Sequence, residues 1–244
     1  MAGILLIYIL GIYFLLTKMV QLEDEAVVGV KKTHKELSEN THSSNEKAIQ
    51  YVASNMIKEA PKIAITFDDG PSPAWTPKLL DGLKERNVKA TFFLIGANTE
   101  QEESKKIVKR MYEEGHLIGN HTYRHVDLSK ISGREAEKEI KTTDEAIKKI
   151  TGHETEFIRP PFGAMPEGEE DPDKIYVKWT VDSLDWVTKD TEKIVEKVTA
   201  DTKEGDVILM HDCYGESVEA ALQIVDIMEK QGYEFVTADE LIIN

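Results

Sequence analysis

Two adjacent carboxylates, Asp68 and Asp69, close a short apolar run that is predicted to be a strand, and Gly70 follows them. Neighbouring side chains of an extended segment point to opposite sides. One carboxylate could therefore bind a metal ion while the other removes a proton as a general base. An Asp-Asp-Gly sequence is more often a turn than a functional site, so this pair needs support from the rest of the chain.

Two histidines with a spacing of four, His121 and His125, follow another predicted strand. On one helical turn this spacing puts both imidazoles on the same face, which suits Zn²⁺ or a similar divalent ion. Two histidines and one carboxylate would leave open coordination positions for water, as in a catalytic rather than a structural metal site. A single H-x-x-x-H pattern is weak evidence by itself.

Three further segments place reactive side chains after apolar runs. Arg159 begins a Pro-Pro-Phe-Gly turn around Phe162, and such a rigid turn could hold a backbone N–H toward a ligand. Asp185 and Trp186 follow a second run. His211 ends a third, where a histidine is more often a core or rim residue than a catalytic one. These residue types fall at the ends of five predicted strands, and this clustering carries more weight than any single motif.

The chain from residue 62 onward alternates β-branched or aromatic runs with amphipathic helical stretches, which predicts a parallel sheet, open or closed into a barrel. In both architectures, active sites gather at the carboxyl ends of the strands. Strands are predicted at residues 62–68, 90–95, 117–120, 156–159, 176–181, 207–210 and 234–237. Helices are predicted at residues 77–86, 102–114, 134–150, 191–202 and 216–231. Ser132 and Glu135 predict a capping box before the third helix.

The length and charge of the chain limit its class. The 244 residues suffice for one domain with a substantial core plus appendages. A formal net charge of −15 argues against binding nucleic acid, whose phosphates require patches of Lys and Arg, and against electrostatic binding to anionic lipid. A basic or neutral polymer is compatible with this charge. Cys213 is the only cysteine, so no intrachain disulfide can form.

The N-terminal residues 1–17 are apolar and uncharged, and Lys18 follows them. The run is slightly short of the ~20 residues that span a bilayer, and no small-residue cleavage site follows it. An uncleaved membrane anchor over residues 1–20 is the favoured interpretation, with a cleaved signal peptide and a secreted protein as the alternative. Residues 21–60 are polar and predict a stalk. The position of Lys18 does not support export by the positive-inside rule, so an extracellular domain is inferred from its predicted activity.

In order along residues 61–244, the chain contains TFDDG, H-[ST]-x-x-H, R-x-P-[FY]-G, D-x-x-D-W and L-x-H. These segments resemble the motif set of the polysaccharide deacetylases, carbohydrate esterase family 4. The resemblance implies an α/β fold, an irregular (β/α) barrel that forms a single catalytic domain over residues 61–244. It also implies that a divalent metal ion, commonly zinc with other divalent transition metals as alternatives, is held by Asp69, His121 and His125.

The same resemblance implies roles for the other matched residues. Asp68 would be the general base, held ionised by Arg159. His211 would be the general acid, oriented by Asp185. The backbone N–H of Phe162 would stabilise the oxyanion, while an apolar pocket for the acetyl methyl would be formed by Trp186 and Leu209.

One segment departs from the family pattern. Residues 164–174 are acidic and interrupted by proline where the family usually places a helix, so they predict a loop near the catalytic rim. This loop puts substrate contacts on that side in doubt and could disfavour a polyanionic ligand. Cys213 stands where the family often has a small residue, and it is predicted to be a plain buried residue.

The predicted function is therefore metal-dependent hydrolysis of N-acetyl groups on an extracellular polysaccharide. Peptidoglycan N-acetylglucosamine is the leading candidate substrate. An anchor and a stalk would hold the domain at a fixed reach from the membrane, which favours a substrate in the cell wall. Chitin oligomers, another exopolysaccharide and O-acetylated xylan stay open as alternatives, since the motifs surround the acetyl group alone. A non-catalytic carbohydrate-binding protein on the same fold is a remote alternative, because no metal ligand, base or acid is missing. No protein partner is predicted.

Overall fold

A computed structural model of the chain describes Lys18, residues 59–165 and residues 173–243. The chain divides into two units, Met1–Glu59 and Ala60–Asn244, and nearly all described residues belong to the second. The predicted anchor and stalk lie outside the described residues, apart from Lys18, Glu59 and Ala60. Within the described part of the chain, no helix combines the length and the apolar composition needed to cross a membrane.

The described strands form one parallel sheet. Its order is β5-β4-β3-β2-β1-β7-β6, and β8 pairs with the first residues of β1. All pairings in it are parallel. The strands are β1 (Lys62–Asp68), β2 (Thr91–Leu94), β3 (Leu117–Asn120), β4 (Phe157–Ile158), β5 (Ile175–Tyr176), β6 (Val181–Asp182), β7 (Val207–His211) and β8 (Glu234–Phe235).

The predicted strand over residues 176–181 was wrong, because this segment contains two strands that lie at opposite ends of the sheet. β5 pairs with β4, whereas β6 pairs with β7. Between them the backbone leaves the ladder, and the carbonyls of Val177 and Lys178 accept hydrogen bonds from the Arg159 side chain instead of from a strand. The segment thereby crosses from one edge of the curled sheet to the other, which gives the predicted irregular (β/α) barrel.

The helices follow the strands as the sequence predicts. They are α1 (Thr76–Glu85), α2 (Glu102–Glu113), α3 (Gly133–Thr151), α4 (Asp185–Thr188), α5 (Thr191–Asp201), α6 (Gly215–Lys230) and α7 (Ala238–Ile243). The five predicted helices agree with the observed bounds within one residue at each end, while α4 and α7 were not predicted. The capping box at Ser132 is present, and Gly152 ends α3 with a φ of 85°, a conformation that favours glycine.

β1 is the central strand and is buried along almost its whole length. Ile63, Ile65 and Phe67 belong to the main hydrophobic cluster, and the Phe67 ring stacks on Phe92 of β2 with 5.3 Å between ring centroids. Burial on both faces is what a parallel sheet covered by helices requires. The two aspartates therefore stand at the carboxyl end of a strand that is fixed by the main hydrophobic cluster.

Candidate active site

Three side chains converge at the carboxyl edge of the sheet and could hold a metal ion. Asp69 follows β1, while His121 and His125 follow β3. His125 Nε2 lies 3.2 Å from Asp69 Oδ1, and His121 Nε2 lies 3.4 Å from the same oxygen. One ligand atom from each residue lies within 4.8 Å of the other two. The predicted ligand set is thus brought together.

The chemistry of these donors fits a divalent cation. His121 Nδ1 lies 2.6 Å from the Arg159 carbonyl oxygen, which can only accept, so Nδ1 carries a proton and the neutral ring presents its lone pair at Nε2. That lone pair faces Asp69 Oδ1, a buried oxygen with no hydrogen-bond partner in the described residues. Burial lowers the pKa of His125, which favours the neutral imidazole that a metal requires. A cation between these acceptors would satisfy all of them.

The two histidines do not lie on a helix, so that part of the prediction was wrong. Residues 121–127 form a loop, hereafter the histidine loop, in which Thr122 and His125 have positive φ angles of 64° and 54°. The Thr122 N–H donates to Asn120 Oδ1 at 2.8 Å, and the Val126 N–H donates to Thr122 Oγ1 at 3.2 Å. Side chains, rather than helical hydrogen bonds, therefore set the spacing of the imidazoles.

Asp68, the predicted base, is paired with a fully buried arginine. Arg159 Nη1 donates to Asp68 Oδ1 at 2.8 Å and to Thr66 Oγ1 at 2.6 Å. The guanidinium carbon also lies 4.2 Å from the centroid of the Phe93 ring. Burial lowers the pKa of Arg159, and the charge and hydrogen bond of Asp68 oppose this change. The other Asp68 oxygen, Oδ2, lies 3.8 Å from His121 Nε2, next to the candidate metal site.

His211, the predicted acid, is oriented by Asp185. Its Nδ1 lies 2.8 Å from Asp185 Oδ1, and its backbone N–H donates to Asp185 Oδ2 at 2.7 Å. Burial lowers the pKa of His211, but the hydrogen bond and charge of Asp185, with the charges of Asp68 and Asp69, raise it to about 9. His211 Nε2 points toward the candidate metal ligands, 3.9 Å from Asp69 Oδ2. A protonated imidazole is thus available at neutral pH.

The remaining predicted residues lie around these groups. Phe162 is 69% exposed and has a φ of 60°, and its ring contacts His125 edge-on with 4.8 Å between centroids. Trp186 on α4 is 53% exposed. Leu209 is buried in β7, where it pairs with Thr66 of β1. The apolar acetyl pocket stays a prediction. Cys213, predicted to be buried, is only partly so.

Two acidic residues near the site were not singled out from the sequence. Asp212 is fully buried, accepts from Thr76 Oγ1 at 2.5 Å and keeps Oδ1 without a hydrogen-bond partner in the described residues. Burial raises its pKa to about 7. Glu139 of α3 is buried against the histidine loop. Its position beside the apolar residues Ala136 and Ile140 is the signal that could have identified it.

The comparisons with known proteins agree with this geometry. The sequence model described as polysaccharide deacetylase matches residues 55–171. A peptidoglycan-N-acetylglucosamine deacetylase of Bacillus cereus is 41% identical over 184 residues, which cover 72% of this chain and 66% of that protein. One from Listeria monocytogenes is 37% identical over 219 residues, 86% of this chain and 46% of that protein. The solved structure of peptidoglycan deacetylase PdaC from Bacillus subtilis superposes with a TM-score of 0.72 at 36% identity, covering 75% of this chain and 90% of that one.

The fold and the site define a (β/α) barrel that carries, at its strand ends, one carboxylate and two histidines able to hold a metal ion. The chain belongs to the polysaccharide deacetylase family, carbohydrate esterase family 4. It spans between about half and two thirds of the length of the two curated relatives described above.

Proposed function

We propose that this chain is a metal-dependent deacetylase that hydrolyses N-acetyl groups of an extracellular polysaccharide. The observation that carries the proposal is that two side chains, one suited to accept a proton and the other to donate one, lie beside one candidate cation site. Asp68 is held against the fixed positive charge of Arg159, and His211 is held against the negative charge of Asp185. In an active site, opposite environments of this kind allow one group to act as the base and the other to act as the acid.

Amide hydrolysis needs all the groups that are assembled here. An amide is a poor electrophile with a poor leaving group, so it requires an activated water, a stabilised oxyanion and a proton for the departing nitrogen. Asp68 takes the proton of the attacking water, and Arg159 keeps that carboxylate ionised and oriented. His211 donates a proton to the nitrogen, and Asp185 stabilises its charged form. The backbone N–H of Phe162 faces the oxyanion as charge develops.

We assign the metal site to Asp69, His121 and His125. A divalent ion held by these residues would supply Lewis acidity for the hydrolysis. Two imidazole nitrogens and one carboxylate suit zinc best, and other divalent transition metals can occupy the same donors. Because none of the three ligands also serves as the base or the acid, metal loss and loss of Asp68 are separable experimentally.

Peptidoglycan N-acetylglucosamine is the substrate that we propose first, because relatives at 37% and 41% identity carry that activity in their names. The alternatives are chitin oligomers, another exopolysaccharide and acetylxylan. We further propose that residues 61–244 form the catalytic domain, that residues 21–60 form a stalk, and that residues 1–20 anchor the chain so that the domain acts outside the cell.

A substrate panel tests this proposal. The full chain, loaded with Zn²⁺, is incubated with peptidoglycan, N-acetylglucosamine oligomers and acetylxylan, and the sugars are analysed by mass spectrometry. We expect conversion of N-acetylglucosamine to glucosamine in peptidoglycan at the highest kcat/KM. Conversion of N-acetylmuramic acid, or faster release from acetylxylan, would contradict the proposed substrate while keeping the chemistry. Binding of the glycans without release would contradict the enzyme assignment itself.

A further inference from the structure

We propose that Glu139 of α3 is a positioning residue for the metal site, acting through the backbone of the histidine loop. This inference rests on the proposed metal-dependent function. Glu139 lies in neither histidine motif and comes 14 residues after His125 in the chain. It is only 4% exposed, although glutamate in the middle of a helix is normally solvated.

Four donors surround the Glu139 carboxylate. Oε2 accepts the backbone N–H of Tyr123 at 3.1 Å and that of Arg124 at 2.8 Å. Oε1 accepts Arg124 Nε at 2.8 Å and lies 2.6 Å from Arg124 Nη2. A buried carboxylate is stable only when it is satisfied in this way. Because Tyr123 and Arg124 stand between the two metal-ligand histidines, the carboxylate fixes the connection between those ligands.

The same stretch is held from its other side by the backbone. The Gly96 N–H donates to the Thr122 carbonyl, and the Ala97 N–H donates to the Tyr123 carbonyl, both at 3.0 Å. The turn after β2 thus binds the carbonyls of Thr122 and Tyr123, and Glu139 binds the backbone amides of Tyr123 and Arg124. Neither set of hydrogen bonds belongs to a helix or to a strand ladder. No regular element would therefore restore the loop if one set were lost.

The loop needs this support because its backbone conformation is unfavourable. Thr122 is β-branched and has a φ of 64°, and His125 has a φ of 54°. Residues other than glycine occupy this region uncommonly, and a β-branched residue such as Thr122 does so only where its surroundings enforce it. If the hydrogen bonds from the histidine loop to Glu139 are weakened, we expect the backbone at Thr122 and His125 to relax. His125 Nε2 would then move away from Asp69 Oδ1. The affinity for the metal would then fall.

Arg124 contributes less than the backbone amides. Its side chain is 69% exposed, so its ion pair with Glu139 is screened by solvent. A glutamine at position 139 keeps one acceptor oxygen, but it turns an NH₂ donor either toward the guanidinium or toward the two backbone N–H groups. E139Q therefore disrupts the hydrogen bonds between residue 139 and the histidine loop, while the volume of the side chain stays nearly constant. R124Q leaves the two backbone hydrogen bonds intact.

The test measures metal affinity in the full chain, not only turnover. Apo protein is titrated with Zn²⁺ by calorimetry and with Co²⁺ by visible absorption, for the wild type, E139Q, R124Q and the control E145Q. Glu145 is an exposed residue on the same helix. We expect E139Q to raise the Kd about tenfold or more, as loss of a group that orients ligands does, and to change the Co²⁺ spectrum. R124Q should raise the Kd less, and E145Q should match the wild type.

A purely structural role for Glu139 predicts a different result. In that case E139Q would lower the resistance of the apo protein to urea while the folded protein kept the wild-type Kd and Co²⁺ spectrum, and the inference would be overturned. If E139Q does not fold, E139D answers the same question, since the shorter carboxylate keeps its charge but withdraws from the loop. A wild-type chain that binds neither ion would contradict the proposed function instead.

Discussion

Arg159 Nη1 donates a hydrogen bond to Asp68 Oδ1 at 2.8 Å, and both side chains are withdrawn from solvent. The same guanidinium also reaches Thr66 and the carbonyls of Val177 and Lys178. Arg159 therefore links β1 and the proposed base to the segment that crosses the open side of the barrel. The same residue therefore contributes both to the closure of the barrel and to the orientation of the proposed base.

Removing Arg159 is expected to destabilise the fold as well as the site. R159M leaves the Asp68 carboxylate buried without its counter-charge, and breaking a buried pair in this way costs about 3–5 kcal/mol. Urea unfolding measures this loss. The double variant D68N/R159M should lose less than the sum of the two single variants, by about 0.5–3 kcal/mol. Strictly additive losses would mean that the pair is not coupled.

Asp185 is expected to set the alkaline limit of activity. A general acid works in its protonated form, so the rate falls as pH rises through its pKa. Asp185 raises the pKa of His211, and D185N should therefore move the falling limb of the kcat profile to lower pH and reduce kcat about tenfold or more. The profile is measured on N-acetylglucosamine oligomers with saturating metal. A lower kcat with an unmoved limb would speak against His211 as the acid.

Metal removal is expected to lower the stability of the wild type. A ligand that binds only the folded state adds about 2.7 kcal/mol when its concentration is 100 times Kd. We expect Zn²⁺ to raise the melting temperature of the wild type and chelation to reverse the change. D69A should show neither effect, because it removes the oxygen that faces both histidines. D81N, which alters an exposed carboxylate, should respond like the wild type. An equal response of D69A would place the metal elsewhere.

His116 is expected to make the fold sensitive to acid. Burial and the charge of Lys89 lower its pKa to about 4, and its Nδ1 accepts the Ala90 N–H, which requires an unprotonated nitrogen. The unfolded chain, with a histidine pKa of about 6.5, then binds more protons than the folded one between pH 6.5 and pH 4. Stability from His116 is complete above that window and falls, by at most about 1.4 kcal/mol per pH unit, as pH decreases through it.

Urea unfolding between pH 4 and pH 7.5 checks the His116 prediction. H116N keeps an acceptor for the Ala90 N–H but has no titrating group, so its stability should depend less steeply on pH in that window. H153N removes an exposed histidine and serves as the matched control. Parallel curves for the wild type and H116N would show that His116 does not contribute to acid sensitivity.

Most of the regular elements and the strand-end residues could be predicted because each depends on local pattern. The helix bounds follow from amphipathic periodicity and capping, and a site at the carboxyl edge follows from parallel strands. The histidine loop could not be predicted this way, because a spacing of four is equally compatible with a helix. Its conformation depends on Glu139, which reaches the loop only through tertiary packing.

The split of residues 176–181 into β5 and β6 has a similar cause. The run is apolar enough for one strand, but the Arg159 side chain takes the carbonyls of Val177 and Lys178. A long-range hydrogen bond to a side chain leaves no periodic trace in the sequence. The burial of Asp212 could not be predicted for another reason. An aspartate after a strand is usually a solvated turn residue, whereas Asp212 is buried and accepts a hydrogen bond from the distant Thr76.

Acetate release from peptidoglycan directly reports metal-dependent deacetylation by this chain. The full chain with Zn²⁺ is compared with D68N, which is confirmed to be folded by circular dichroism, and with chelated wild type. We expect steady release by the wild type, a loss of about 10²- to 10⁴-fold in D68N and recovery of the chelated enzyme on adding metal. Release that survives both D68N and chelation, or its complete absence from the metal-loaded wild type, would contradict a metal-dependent deacetylase that uses Asp68 as its base.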